Sequence, residues 1–114
     1  KPLIKLGANP ERVADLRIAI DQARLLTQYA AWKIDQVGAM AALSEISAIK
    51  VVAPNVLQNV VDEAIQLYGG AGLSNDTPLA SMFAMARVLR IADGPDAVHR
   101  NLIARLEFAK YNTP

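Results

Sequence analysis

The sequence predicts an all-α protein, an antiparallel up-down helical bundle, on three observations. Apolar residues recur at helical spacing in four segments. Prolines, two of them preceded by a capping residue, stand where three of these segments begin. No stretch alternates β-branched with polar residues as a strand would. With 114 residues, of which 53% are hydrophobic and 20% charged, the chain can build one core, so we expect a single domain.

The first helix is predicted over residues 10–37. Asn9 is expected as its N-cap and Pro10 as its first helical residue, while Gly38 is the natural stop. Steps of three and four place one apolar stripe toward a neighbouring helix: Val13, Leu16, Ile20, Ala23, Thr27, Ala30, Ile34 and Val37.

The second helix is predicted over residues 40–68, with a kink near Pro54. Its apolar face is wide, which is typical of a central helix, and consists of Ile46, Ile49, Val52, Ala53, Val56, Leu57, Val60, Val61, Ala64, Ile65 and Leu67. The helical pattern continues past Pro54, although the missing N–H and the ring clash cost about 3 kcal/mol. A break into two helices at Pro54 is the alternative.

Two shorter helices are predicted over residues 78–91 and 95–110. The first opens at Thr77 and Pro78, a capping residue followed by a first-turn proline, and the second opens at Pro95. Inward positions on the last helix are expected at Val98, Leu102, Leu106 and Ala109.

Charge and composition exclude several classes of partner. The net charge is +1 and the basic residues are scattered, so we expect no nucleic-acid binding. No apolar run approaches the length of about 18 to 20 residues that a membrane span requires, so we expect no membrane span. The absence of cysteine favours a reducing compartment. We expect the cytoplasm if the source is bacterial, and mitochondria or peroxisomes if it is eukaryotic.

One histidine, His99, follows Asp96 at the i, i+3 spacing that lets a carboxylate and an imidazole share a metal ion. A di-metal site in a helical bundle requires two such motifs and further inward carboxylates, which the apolar stripes do not supply. We therefore expect no metal site and interpret His99 as an exposed or capping residue. No nucleophile elbow surrounds a serine, so a Ser-His-Asp triad is not supported.

A glycine-rich segment lies at residues 66–72, where the second helix ends. It places three glycines in four positions, at Gly69, Gly70 and Gly72, whereas a helix C-terminus needs only one. One interpretation is a helix stop with a tight turn, which the pattern alone favours. The other is a backbone that a flat ligand or its phosphates must approach closely.

Asp93 lies in the connection between the last two predicted helices, directly before Gly94 and Pro95. As a helix cap it would stay ionised, whereas in an apolar pocket its pKa would rise and it could accept a proton from carbon. The residues alone favour the cap, because Asp is a preferred N-cap residue.

The two segments together resemble the acyl-CoA dehydrogenase family. The resemblance rests on the Gln-x-x-Gly-Gly-x-Gly segment at residues 66–72 and on the helix-acidic-Gly-helix junction about twenty residues later. Lys1, Pro2 and Leu3 resemble the end of that family's Phe-Gly-Lys-Pro-Leu turn. The resemblance implies the antiparallel four-helix bundle of the family's C-terminal domain, so we expect a fragment that lacks the first bundle helix and the preceding domains.

The resemblance also implies chemistry: oxidation of an acyl-CoA to the 2,3-enoyl-CoA, with FAD as cofactor. Asp93 falls at the position of the catalytic base, where Glu is commoner, and resembles a subgroup that favours longer or branched acyl chains. Ala92, where an aromatic residue often stands, would leave room near the reacting carbons. Implied cofactor-binding positions are Gln66, Leu67, Tyr68, Gly69 and Gly70, toward FAD held by a neighbouring subunit, and Gly94, Pro95 and Ala97, beside the flavin of the same subunit. Pro95 departs from the usual Thr and removes a hydroxyl contact.

Implied partners are the acyl-CoA substrate, an electron-accepting flavoprotein and further copies of the chain in a dimer or tetramer. We expect the 114-residue chain alone to show no turnover and to retain little or no FAD. Two alternatives stay open: a non-catalytic helical oligomerisation or interaction module, and a degenerate family member with a scaffold role.

Overall fold

The computed structural model describes residues 2–111 and contains no strand within them, which confirms the all-α class. Lys1, part of the predicted N-terminal turn, lies outside the described residues. Five α-helices follow one another, with 3-10 turns at Leu3–Lys5 and Met40–Ala42. The helices are α1 (Asn9–Val37), α2 (Leu43–Tyr68), α3 (Gly70–Leu73), α4 (Leu79–Leu89) and α5 (Asp96–Ala109).

α1 and α2 run antiparallel along most of their length. An ion pair at each end shows this: Arg12 near the start of α1 lies 3.6 Å from Glu63 near the end of α2. At the opposite end Lys33 lies 4.0 Å from Glu45, in the first turn of α2. Both pairs are partly exposed, so they indicate the direction of the helices more than they stabilise them.

α2 is the central helix, as its wide apolar face predicts, because it contacts α1, α3, α4 and α5. The buried hydrophobic residues are small, and consist of Ala30 of α1, Ala42 before α2, Val61 of α2 and Ala86 of α4. Small side chains let helix axes approach closely. The core therefore lies along α2, where it contacts α1 and where it contacts α4 and α5.

α2 continues through Pro54, so the alternative of two separate helices is wrong. The proline is buried and leaves the carbonyl of Lys50 without its usual helical N–H. One residue further, the side-chain amide of Asn55 donates to the carbonyl oxygen of Val51 at 2.6 Å. This bond adds a donor to the turn that the proline disturbs.

α4 and α5 lie in tandem, and both run antiparallel to α2. Arg90, after α4, donates to Gln58 at 3.0 Å, Asp96 of α5 accepts from Asn55 at 3.0 Å, and the ring of His99 lies 3.5 Å from Ser47. Since rising numbers on the last segment meet falling numbers on α2, the chain passes three times along an elongated molecule of 63 × 26 × 25 Å.

The helix boundaries differ from the predicted ones by up to three residues; the largest difference is at the start of α2, where Met40–Ala42 form a 3-10 turn. Pro78 and Pro95 are N-caps and not the first helical residues. Asn9 is the first residue of α1 and not its N-cap, and its side-chain amide donates to the carbonyl of Leu3 at 2.8 Å. These prolines still mark the starts of the helices.

Among the described residues, the segment Met40–Tyr68 is long and apolar enough to cross a membrane by length and composition, since an 18-residue stretch of it has a mean hydropathy of 1.3. The central helix of a bundle meets the same criterion, and α2 packs against the other four helices.

Candidate functional site

An open groove of about 500 Å³ lies between α1 and the junction of α4 with α5, above α2. Its floor is apolar and comes from α2, while one residue of α1 and two residues of the last segment form its walls. The lining residues are Thr27, Ile46, Ile49, Lys50, Ala53, Pro54, Asp93 and His99. A groove of this kind can take an extended apolar chain and present it to a few polar groups.

Asp93 stands at this groove in an unusual backbone conformation. Its φ is 56°, and it is the one non-glycine residue with positive φ among residues 2–111. The N-cap of α5 is Pro95 and no side chain caps that helix, so the capping interpretation of Asp93 is wrong. Residues held in sparsely populated conformations cluster at functional sites. The geometry therefore leaves the Asp93 carboxylate available to the groove.

Two side chains hold the backbone around Asp93. The ammonium group of Lys50 donates to the carbonyl oxygen of Leu89 at 2.6 Å and to that of Gly94 at 3.3 Å. From the other side, Nε2 of His99 lies 3.2 Å from the carbonyl oxygen of Asp93. A carbonyl can only accept, so Nε2 carries the hydrogen of this bond.

His99 is half-buried and lines the groove, so its interpretation as an exposed or capping residue is wrong. The periodicity could have located both supporting residues. His99 precedes Leu102 and Leu106 on the inward stripe of α5, and Lys50 falls between Ile46 and Ala53 on the apolar stripe of α2. A polar residue on an apolar stripe is the signal that sequence reasoning missed.

Gly94 is required at this junction for two reasons. Its φ is 101°, a conformation that other residues rarely adopt, and a Cβ at this position would lie 3.1 Å from Nε2 of His99. The Asp-Gly pair thus permits both the sharp reversal of the chain and the close approach of the imidazole.

The carboxylate of Asp96 ties the same junction to α2. Its Oδ2 accepts from Asn55 at 3.0 Å and from Nε of Arg90 at 3.0 Å, and it forms an ion pair with Nη2 of Arg90 at 2.9 Å. The hydrogen bond from Asn55, together with those of Arg90, holds the pKa of Asp96 below its usual value, against the opposing effect of burial. Asp96 and His99 therefore have separate partners, although their spacing is that of a shared metal site.

Structural demands explain two of the three glycines in the segment after α2. Gly69 has a φ of 66° and its N–H donates to the carbonyl of Ile65 at 2.9 Å, which ends α2. Gly72 is buried, and an added Cβ would lie 2.9 Å from the backbone of Ile65. Gly70 has neither a positive φ nor a neighbour within 4 Å. It is the glycine that the fold itself does not require.

The predicted cofactor-binding residues lie in two separate places. Leu67 and Tyr68 line a pocket of about 310 Å³ with Pro2 and Leu3, which brings the N-terminal turn against the end of α2. Gly94, Pro95 and Ala97 lie at the junction of α4 with α5, where Asp96 accepts a hydrogen bond from Asn55. The helical rise from Asn55 to Gln66 amounts to about 16 Å, so the two groups do not form one contiguous site within this chain.

Three comparisons give the chain its relatives. Residues 1–107 match the family described as acyl-CoA dehydrogenase, C-terminal domain. The probable acyl-CoA dehydrogenase FadE2 of Mycobacterium tuberculosis is 48% identical over 96% of this chain and 27% of that protein. Acyl-CoA dehydrogenase family member 11 of Homo sapiens is 54% identical over 83% of this chain and 12% of that protein.

A solved structure from Mycobacterium abscessus, assigned as an acyl-CoA dehydrogenase, superposes with a TM-score of 0.95. It is 62% identical and covers 98% of this chain and 28% of its own. The chain thus spans about a quarter of the length of FadE2 and of the solved relative. The chain has the predicted helical architecture, and these matches show that it belongs to the acyl-CoA dehydrogenase family and corresponds to the C-terminal domain of that family.

Proposed function

We propose that the whole protein is an FAD-dependent acyl-CoA dehydrogenase that converts an acyl-CoA to the 2,3-enoyl-CoA, with Asp93 as the base. The observation that supports this most is the placement of Asp93. A carboxylate with no capping role stands at an apolar groove, on a backbone that other side chains hold in a strained conformation. The family membership agrees with this role.

The chain's own residues would act on the α-carbon of the thioester. The floor of Ile46, Ile49 and Ala53 takes the apolar acyl chain, and the Asp93 carboxylate at its edge removes the α-proton. Such a base must reach within about 3 Å of the proton it abstracts or of its carbon. FAD, when bound, supplies the acceptor for the hydride that leaves the β-carbon.

Residues of this chain fit contact with FAD at two places. Gly69 and Gly70 are exposed and have no neighbour near a Cβ position, so a ligand can approach their backbone closely. Tyr68 beside them is 62% exposed. Pro95 and Ala97 are exposed next to Asp93. Because the two places are separated along α2, we propose that they contact different FAD molecules, one of them held by a neighbouring subunit.

Exposed apolar side chains support a homo-oligomer. On α1 they form a stripe at helical spacing, consisting of Ile18, Leu25, Tyr29 and Trp32, with Leu25 64% and Trp32 54% exposed. Contiguous apolar surface of this kind marks an interaction site. We propose that further copies of the protein cover part of it, and that an electron-accepting flavoprotein reoxidises the reduced enzyme.

The base role is tested in full-length protein by an Asp93→Asn variant mixed with an acyl-CoA under anaerobic conditions. We expect wild-type flavin to lose its visible absorbance and the variant to lose it at least a hundredfold more slowly, which is roughly the lower bound for removing a general base. Asp76→Asn is the matched control, because Asp76 lies in an exposed turn away from the groove. Reduction of the Asp93→Asn flavin at the wild-type rate would remove Asp93 from the base role.

Flavin absorbance of the full-length protein, purified under native conditions, distinguishes the enzyme hypothesis from the interaction-module hypothesis. A full-length protein that is colourless and cannot be reconstituted with FAD would favour the module. If the protein binds FAD but none of the acyl-CoA compounds tested reduces the flavin, the scaffold alternative is favoured. The 114-residue chain alone is expected to show no turnover in either case.

A further inference from the structure

We infer that His99 and Lys50 are positioning residues for the reaction, which together fix the backbone that carries Asp93. This inference rests on the proposed role of Asp93 as the base. The two side chains come from different helices, Lys50 from α2 and His99 from α5, and meet the junction from two sides. Neither residue needs to touch the substrate to act in this way.

The backbone of Asp93 requires such support. With a φ of 56° it occupies the left-handed region, where the Cβ of an L residue crowds the following carbonyl. A residue other than glycine keeps this conformation only when its surroundings hold it there. The next residue, Gly94, has a φ of 101°, and because a glycine restricts its own backbone little, it does not hold Asp93 in place.

His99 supplies a directed bond to this backbone. Its Nε2–H donates to the carbonyl oxygen of Asp93 at 3.2 Å, while Nδ1 faces the hydroxyl of Ser47 at 3.5 Å. Ser47 is buried in α2, with 3% of its surface exposed, so the imidazole has a fixed partner on its far side. The ring thereby links the Asp93 backbone to the central helix.

Lys50 supplies the second support with a charged donor. Its bonds to the carbonyl oxygens of Leu89 and Gly94 connect the last residue of α4 to the loop residue that lies two positions before α5. A cation at the carboxyl end of a helix also interacts favourably with the helix dipole. The carbonyls on both sides of the reversal are therefore held.

Positioning matters more for aspartate than for glutamate at such a site. The Asp side chain has one methylene fewer, so the place of its carboxylate follows the backbone closely and cannot be adjusted by a further torsion. A displacement of about 1 Å at a reacting group can cost as much as a hundredfold in rate. The clamp formed by Lys50 and His99 compensates for the short side chain.

Two variants of His99 in the full-length, FAD-loaded enzyme separate the donor from mere packing. His99→Phe keeps an aromatic ring in the groove wall but removes the donor, whereas His99→Gln removes the ring but can keep an N–H near Nε2. We expect the limiting rate of flavin reduction by an acyl-CoA to fall roughly tenfold to a hundredfold in His99→Phe. In His99→Gln we expect it to stay within about threefold, and the dissociation constant of the substrate to change little in both.

The visible flavin spectrum of each variant reports whether FAD is held normally. Asn101→Ala, an exposed position on α5, is the matched control and should behave as wild type. If His99→Phe does not retain FAD, the comparison is made with Lys50→Met, which should show the same selective loss of limiting rate. Lys110→Met controls for the loss of one positive charge, since Lys110 is exposed at the C-terminal end of α5, about 20 Å along that helix from Asp96.

Three outcomes would overturn the clamp. They are a wild-type reduction rate in His99→Phe or in Lys50→Met, a greater loss in His99→Gln than in His99→Phe, and a loss that appears in substrate affinity alone. If any one of these outcomes occurs while Asp93→Asn slows flavin reduction as expected, only the positioning role of His99 and Lys50 fails. If Asp93→Asn reduces its flavin normally, the proposed base itself fails.

Discussion

Replacing Gly72 by alanine is expected to destabilise the fold. The added Cβ would lie 2.9 Å from both Cα and the carbonyl oxygen of Ile65, and 3.3 Å from Cγ2 of that residue. The two nearest atoms belong to the backbone of α2, which cannot rotate away as a flexible side chain would. α3 must therefore move away from α2 at Gly72, which is buried.

The expected magnitude follows from two opposing effects. Overpacking a filled site by one methyl group costs about 1 to 3 kcal/mol. Restricting the unfolded chain by replacing glycine returns about 0.4 to 1 kcal/mol. The net loss should be about 1 to 2 kcal/mol in the free energy of unfolding. For a domain of this size, that loss lowers the melting temperature by about 4 to 8 °C.

Gly70→Ala is the matched control, because it adds the same methyl group two residues earlier in α3. Nothing lies within 4 Å of that Cβ and the φ of Gly70 is not positive, so this variant should gain about 0.4 to 1 kcal/mol. Urea denaturation of the chain, followed by far-UV circular dichroism, measures both variants against wild type. Equal stability of Gly72→Ala and Gly70→Ala would refute the reasoning, because close approach to Ile65 is the only difference invoked.

Two further predictions concern the junction. The depressed pKa of Asp96 stabilises the folded chain above the carboxyl's ordinary pKa of 3.8, and this contribution is lost as the pH falls through the lower folded pKa. Urea titrations between pH 2 and 7 should show that the free energy of unfolding falls less steeply with decreasing pH in Asp96→Asn than in wild type. Identical pH profiles of the two proteins would contradict this. Gly94→Ala should lose roughly 1 to 3 kcal/mol, from its φ of 101° and its contact with His99, and an unchanged midpoint would contradict that.

The helices could be predicted because their causes are local. Apolar spacing and the prolines located α1, α2, α4 and α5 to within about three residues at each end, and the width of the α2 face indicated its central place. The exact starts were missed by one to three residues, because a helix boundary depends on the backbone conformation of one or two residues, which apolar spacing does not determine. α3 was missed because its Gly-Ala-Gly sequence has low helical propensity.

The candidate site was only partly accessible in this way. Sequence resemblance indicated Asp93 and the glycine segment, and their catalytic and cofactor roles stay predictions. The residues alone favoured Asp93 as a cap and His99 as exposed, and both expectations are wrong. Each error came from treating a residue by its local context, whereas its partner lies on another helix.

The sequence by itself determined the helical class, the four main helices, the central place of α2 and the resemblance to a family, because these depend on spacing along one segment. Only the tertiary structure decided that α4 and α5 lie in tandem along α2, and that this arrangement brings Lys50 to the carbonyl of Gly94 and His99 to that of Asp93. The physical reason is that a hydrogen bond between helices depends on their register and packing, which no single segment contains.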